Sequence, residues 1–207
     1  MIDFIGDIHG HADKLEELLI KLGYSRKDGV FYHPERKVIF IGDYIDRGPK
    51  IREVLQIVRS MVENENAIAL MGNHEYNALC FHHHDPGGGH LRVHSIKNIR
   101  QHFDTLNQFH NRQREYEDYL EWFKTLPLFY ESDTARAVHA CWDSTHISYL
   151  RSILPGGRLT EELIYESAKK GTQLNIALDE TIKGKEIDMP KGLYFTDKDG
   201  KIGRAHV

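Results

Sequence analysis

Cysteine is nearly absent: two residues in 207, Cys80 and Cys141. Two thiols exclude a disulfide framework, and both lie in apolar or motif-adjacent segments where a reduced thiol is expected. Proline is scarce at six residues, and no Gly, Ser or Pro stretch divides the chain, which points to a single domain over residues 1–207. No apolar run approaches the ~20 residues of a membrane span, and no basic, apolar leader precedes the first strand-like segment, so a cytoplasmic location is expected. Positive charge is not in excess either. Twenty-seven Lys and Arg against 31 Asp and Glu give a net charge of -4, which excludes general attraction to nucleic acid or an anionic membrane. Affinity for phosphate would have to be local.

What is present is an ordinary globular balance, 40% hydrophobic and 28% charged, enough for a sizeable core. Three apolar, β-branched runs at 2–5, 38–41 and 67–71 each end in a short motif: GDIHG at 6–10, GDYIDRG at 42–48 and GNHE at 72–75. Helical spacing follows the first two, through Leu15, Leu18, Leu19 and Leu22 and then through Ile51, Val54, Leu55, Val58, Met61 and Val62. A third helix from about Glu75 to Phe81 completes three repetitions of strand, loop and helix, the signature of an α/β fold. Aromatic and charged residues at 94–124 read as two helices. A hairpin at 128–130 and 136–139, helices at 147–154, 160–170 and 174–183, and a strand at 192–196 before an Asp199-Gly200 turn follow. The run His82, His83, His84 to His90 includes Gly87, Gly88 and Gly89 and reads as a solvated loop, because consecutive histidines on regular backbone cannot all face one cation.

Carboxylates, an amide oxygen and imidazoles suit divalent metals held by O and N ligands, which makes Asp7, His9, Asp43, Asn73 and His74 candidates. All follow strands, so they should meet at one sheet edge, beyond the carboxyl ends of the strands. The glycines fit loops that wrap a cation.

In this order the motifs resemble the calcineurin-like metallophosphoesterases, within the phosphoprotein phosphatase group that includes bacterial serine/threonine phosphatases and symmetrical diadenosine tetraphosphatases. AVHACWD at 137–143 matches the next histidine motif of that family, with HAC where HGG or HAG is usual, so the likeness reaches over about two thirds of the chain. The resemblance implies a β-sandwich flanked by helices, with a helical cap at about 94–124 over the metal face. It implies that Asp7 and His9 hold one divalent ion, that Asn73 and His139 hold a second and that Asp43 bridges them. His74 is then the proton donor to the leaving oxygen, oriented by Asp46, and Arg47 grips the phosphoryl group, its planar fork matching two phosphate oxygens. A hydroxide shared by two cations roughly 3.5 to 4 Å apart attacks phosphorus directly in such a site. The metals are expected to be manganese, with iron, zinc or cobalt as alternatives.

One feature departs from the family: the GH motif that supplies a further histidine is absent, and neither His146 nor His206 stands in its place. The departure implies a truncated form of a longer protein, an incomplete second sheet with an open edge available for self-association, and reduced activity of this chain. Two functions are therefore expected in competition, a metal-dependent phosphatase and a catalytically weak phosphate-binding or regulatory module. For the enzyme the substrate is a phosphoprotein, which needs an open groove, or a dinucleoside polyphosphate, which needs added cationic groups. Arg92, Lys97 and Arg100 would supply those, though each is also an ordinary helix residue.

Overall fold

The computed structural model describes residues 1–187 and the segments 195–196, 202–203 and 205–206. Its centre is a parallel sheet of β1 (Ile2–Ile5), β4 (Lys37–Phe40) and β5 (Ala67–Ala69), with β4 in the middle. Ile5 pairs with Phe40 and Phe40 with Ala69, so the three strands end level and deliver all three motif loops to the same edge. Val38, Ile39 and Phe40 are buried, as expected for a central parallel strand covered on both faces.

The connections are helical. α1 (Ala12–Lys21) and the hairpin of β2 (Ser25–Lys27) and β3 (Val30–Tyr32) lead from β1 to β4, and α2 (Ile51–Glu63) leads from β4 to β5. α2 buries Ile51, Val54, Leu55, Val58 and Met61, an i, i+3, i+4, i+7 stripe in which each side chain contributes roughly 1.5–3 kcal/mol of transfer energy. α1 buries Leu15 and Leu19, whereas Leu18 is on its exposed side. α3 (Asn73–His82) begins two residues earlier than expected because Glu75, at its third position, accepts a hydrogen bond from Gly72 N at 3.0 Å. Asn73 and His74 therefore lie in a first helical turn rather than in a loop.

Of the two helices expected over the metal face, α4 (Ile96–Gln108) borders the site and α5 (Gln113–Lys124) packs into the core against α3. Tyr116, Tyr119, Trp122 and Phe123 are buried there. β6 (Phe129–Glu131) and β7 (Arg136–Val138) form the expected hairpin, which is two-stranded among the described residues. α6 (Ser144–Ile153), α7 (Glu161–Ala168) and α8 (Gln173–Lys183) follow. The short strands β8 (Glu186–Ile187) and β11 (Ala205–His206) pair with each other, as do β9 (Phe195–Thr196) and β10 (Ile202–Gly203). The rest of the expected strand at 192–196 and the Asp199-Gly200 turn lie outside the described residues.

One apolar cluster runs from Ile5 to Ile182. Both cysteines are free; Cys80 is buried, and burial pushes its thiol up to about 11. Among the described residues no helix is long and apolar enough to cross a membrane. The histidine-rich segment is only partly the solvated loop expected. His82 belongs to α3, where it lies against His102 and Tyr116 and burial brings its imidazole down to about 4. The rings of His84, His90 and His94 stack in series.

Candidate metal centre and proton-donor pair

The three motif loops are laced together before any side chain is considered. Ile8 N and His9 N both donate to Asp43 O, at 3.0 and 2.9 Å, and Lys50 N donates to Gly10 O at 2.8 Å. Glu75, fully buried, accepts from Gly72 N, Asp43 N and Tyr44 N at 3.0, 2.9 and 2.8 Å, so the last residue of GNHE fixes the backbone of GDYIDRG. Burial pushes the Glu75 carboxyl up to about 7, with the nearby charge of Asp43 adding to it and the backbone donors opposing. Gly42 permits this approach: its φ is 107°, and a Cβ there would stand 2.5 Å from Gly72 N. Four motif residues other than glycine, His9, Asp43, Asp46 and Arg47, also have φ between 44° and 66°. Non-glycine backbone in that region costs energy and persists where surrounding contacts hold it, a pattern concentrated at functional sites.

Asp43 is 3% exposed, and its two carboxylate oxygens face two different sets of imidazole nitrogens. Oδ2 faces His9 Nε2 at 3.5 Å and His74 Nε2 at 3.8 Å, whereas Oδ1 faces His139 Nε2 at 3.5 Å. His139 follows β7 directly, and its Nδ1 donates to Ile41 O at 2.7 Å. His9 Nδ1 likewise donates to Ile45 O at 2.9 Å. A carbonyl can only accept, so in each neutral imidazole the Nε2 lone pair points into the site, the arrangement by which an outer partner orients a metal-binding histidine. His139 Nε2 also lies 3.1 Å from Asn73 Oδ1. Lone pairs thus converge from His139, Asn73 and Asp43 and need a proton or a cation between them. With a proton there, burial works to lower His139, but the carboxylate of Asp43 outweighs it and pushes the imidazole up to about 9.

Asp7 is exposed and sits 4.0 Å from His9 Nε2. One group of residues that could hold a metal unites Asp7, Asp43 and His139, and another unites His9, Asp43 and His74. Arg47 Nη1 donates to His9 Nε2 at 2.8 Å and Nη2 to His74 Nε2 at 3.2 Å. A cationic group therefore rests on those two lone pairs, and the donor set as a whole fits divalent cations.

His74 Nδ1 is 2.6 Å from Asp46 Oδ2. Burial alone would lower His74, yet this hydrogen bond and the Asp43 charge raise it above the ordinary imidazole range. Asp46 in turn is held by residues that sequence reasoning missed. His102 Nδ1 lies 2.8 Å from Asp46 Oδ1, and Thr105 Oγ1 donates to the same oxygen at 2.5 Å. His102 Nε2 reaches Tyr116 OH at 2.7 Å. Burial works to raise Asp46, but the hydrogen bonds from His102, His74 and Thr105 outweigh it and keep the carboxyl below the usual carboxylate range. The available signal was a polar pair, His102 and Thr105, at i and i+3 on a buried face of α4. The same helix clamps the loop end: Gln108 accepts from Ile51 N at 2.7 Å and donates to Gly48 O at 3.0 Å.

His146 is apart from this site. It belongs to a third group with Asp143 and Glu180, in which both carboxylates also face Lys185, at 2.7 and 3.8 Å. The side chain of His206 lies outside the described residues.

The chain is similar to several known proteins. The chain is 46% identical over 74 residues to the asymmetrical bis(5'-nucleosyl)-tetraphosphatase PrpE of Oceanobacillus iheyensis, covering 35% of this chain and 30% of that protein. It is 33% identical over 128 residues to PrpE of Bacillus subtilis, covering 61% of this chain and 51% of the relative. The matched stretch thus spans about half or less of these relatives. Among solved structures, a cold-active protein-tyrosine phosphatase of a psychrophilic Shewanella has the same fold, with a TM-score of 0.52 and 23% identity over 82% of this chain and 48% of its own. The family model for calcineurin-like phosphoesterases matches residues 1–184, and with the strand-end motifs gathered around Asp43 the chain belongs to that family.

Proposed function

We propose that the chain is a dinuclear-metal phosphoesterase acting on phosphate esters, with a nucleotide polyphosphate as the substrate class. The observation that carries this reading is the divided Asp43 carboxylate, one oxygen facing His9 and the other His139. Asp7, His9, Asn73 and His139 would complete the two positions around it, within one domain. When bound, the two divalent ions, manganese by preference, would supply the Lewis acidity and the activated water that direct hydrolysis needs.

The remaining roles belong to the chain itself. His74, oriented through Nδ1 by Asp46, presents Nε2 to the site and donates a proton to the leaving oxygen. Asp46 stays ionised, so it stabilises the imidazolium form that His74 takes once Arg47 turns away from Nε2 and a proton occupies that nitrogen. Arg47 is exposed and, among the described residues, held through hydrogen bonds to His9 and His74, so its guanidinium is free to turn toward phosphoryl oxygens. The names of the relatives support a dinucleoside tetraphosphate over a phosphoprotein, and their asymmetrical cleavage would replace the symmetrical kind that the resemblance first suggested.

A panel of dinucleoside tetraphosphate, phosphopeptide and aryl phosphate, assayed with added manganese, tests the proposal. Hydrolysis of the tetraphosphate with the highest kcat/KM is expected. Binding without turnover of any of the three would instead support the regulatory module.

A further inference from the structure

The candidate active site opens into a cavity of about 690 Å³, far larger than one phosphoryl group needs and within the range of sites that enclose a nucleotide-sized ligand. Asp46, Arg47, Asn73 and His74 line one part of it. Arg92 and, on α4, Lys97, Asn98 and Gln101 also line it, as do the acidic residues Asp179 and Glu186.

Arg92 is the unusual member. It is half-buried, yet its guanidinium makes no ion pair among the described residues and donates instead to two amide oxygens, Asn98 Oδ1 at 3.2 Å and Gln101 Oε1 at 2.7 Å. Its backbone is fixed as well, because Arg92 N donates to Cys80 O at 2.9 Å at the end of α3. Lys97 likewise has no ion pair among the described residues, whereas Lys183 in the same cavity is neutralised by Asp179 at 2.6 Å. Taking a cation partly out of water without a counter-charge is costly, and neutral amides that aim its fork leave further N–H donors for an anion.

We propose that Arg92, supported by Lys97, binds the phosphates of a polyphosphate chain beyond the one held at the metal centre. This inference rests on the proposed function and deepens it: a phosphomonoester would reach only Arg47, whereas a chain of phosphates would extend along the cavity to Arg92. The planar guanidinium held by Asn98 and Gln101 is set for bidentate contact, which makes it a specificity-determining group.

The test separates binding from turnover. Calorimetric titration with inorganic tripolyphosphate and with orthophosphate should show the wild type preferring tripolyphosphate, with Arg92→Gln cutting that preference by about tenfold or more and Lys97→Ala by about threefold. In kinetics, the KM for a dinucleoside tetraphosphate should rise in Arg92→Gln by about tenfold relative to the KM for an aryl phosphate. If Arg92→Gln does not fold, Lys97→Ala, altered at an exposed side chain, carries both measurements. Equal wild-type affinity for the two anions, or variants that shift both equally, overturns the inference and leaves a groove for a single phosphoryl group, as on a phosphopeptide. Because the titration needs no hydrolysis, an inactive protein that still prefers tripolyphosphate would count against the enzymatic reading and not against this one.

Discussion

Asp43→Asn is expected to lower kcat/KM for any phosphate ester by about a thousandfold or more and to abolish tight binding of the second cation. Two dications a few ångströms apart repel strongly, and the anion between them offsets part of that repulsion. A neutral amide keeps the shape of the side chain, and its oxygen still accepts from His74 N, the 3.0 Å bond that ties the first turn of α3 to the loop. The fold should therefore persist, and a thermal melt close to that of the wild type would accompany the loss. A thousandfold fall is about 4 kcal/mol of transition-state stabilisation, well beyond the effect of one exposed hydrogen bond. Kinetics with an alkyl phosphate, together with manganese titration, measures both losses. Asp43→Asn retaining a tenth of wild-type turnover would mean that no second cation matters.

The second large effect separates two roles for His74. As the proton donor to the leaving oxygen, it should matter little for nitrophenyl phosphate, whose anion departs without a proton, and greatly for an alkyl ester, whose alkoxide does not. His74→Gln is accordingly expected to slow the alkyl ester by about 10²–10⁴-fold and nitrophenyl phosphate by less than about tenfold. His102→Ala should reproduce this pattern at smaller amplitude, because the buried His102 and Thr105 hold the Asp46 carboxylate that orients His74. Equal loss on both substrates would instead make His74 a metal ligand, a reading its position beside His9 and Asp43 makes testable.

The parallel sheet and its motif loops were legible because apolar β-branched runs ended at short, chemically loaded sequences, each signal contained in a few neighbouring residues. The early start of α3 was less so. GNHE reads as a loop until Glu75 is seen to accept from Gly72, which lets the helix begin at Asn73. His102 was invisible for a different reason. It lies 56 residues from Asp46 and is joined to it only when α4 folds over the loop, and in sequence it is one more polar residue of a charged helix. α5 was ambiguous in sequence, since aromatic residues suited to a cap over a ligand are equally suited to a core, and in the fold they are buried. In sequence Arg92 was one of three cationic candidates for a polyphosphate, with Lys97 and Arg100, and nothing there set it apart from an ordinary helix residue. Its meaning comes from its partners among the described residues, the amide oxygens of Asn98 and Gln101 in place of a carboxylate.

A cation pair around Asp43 is the feature on which the proposed chemistry depends. Diffraction from crystals grown with excess manganese, recorded at the metal's absorption edge, should show two anomalous peaks, one beside each Asp43 oxygen and within ligand distance of His9 and His139 respectively. A map with no peak there, or with one peak on the His9 side alone, would contradict it.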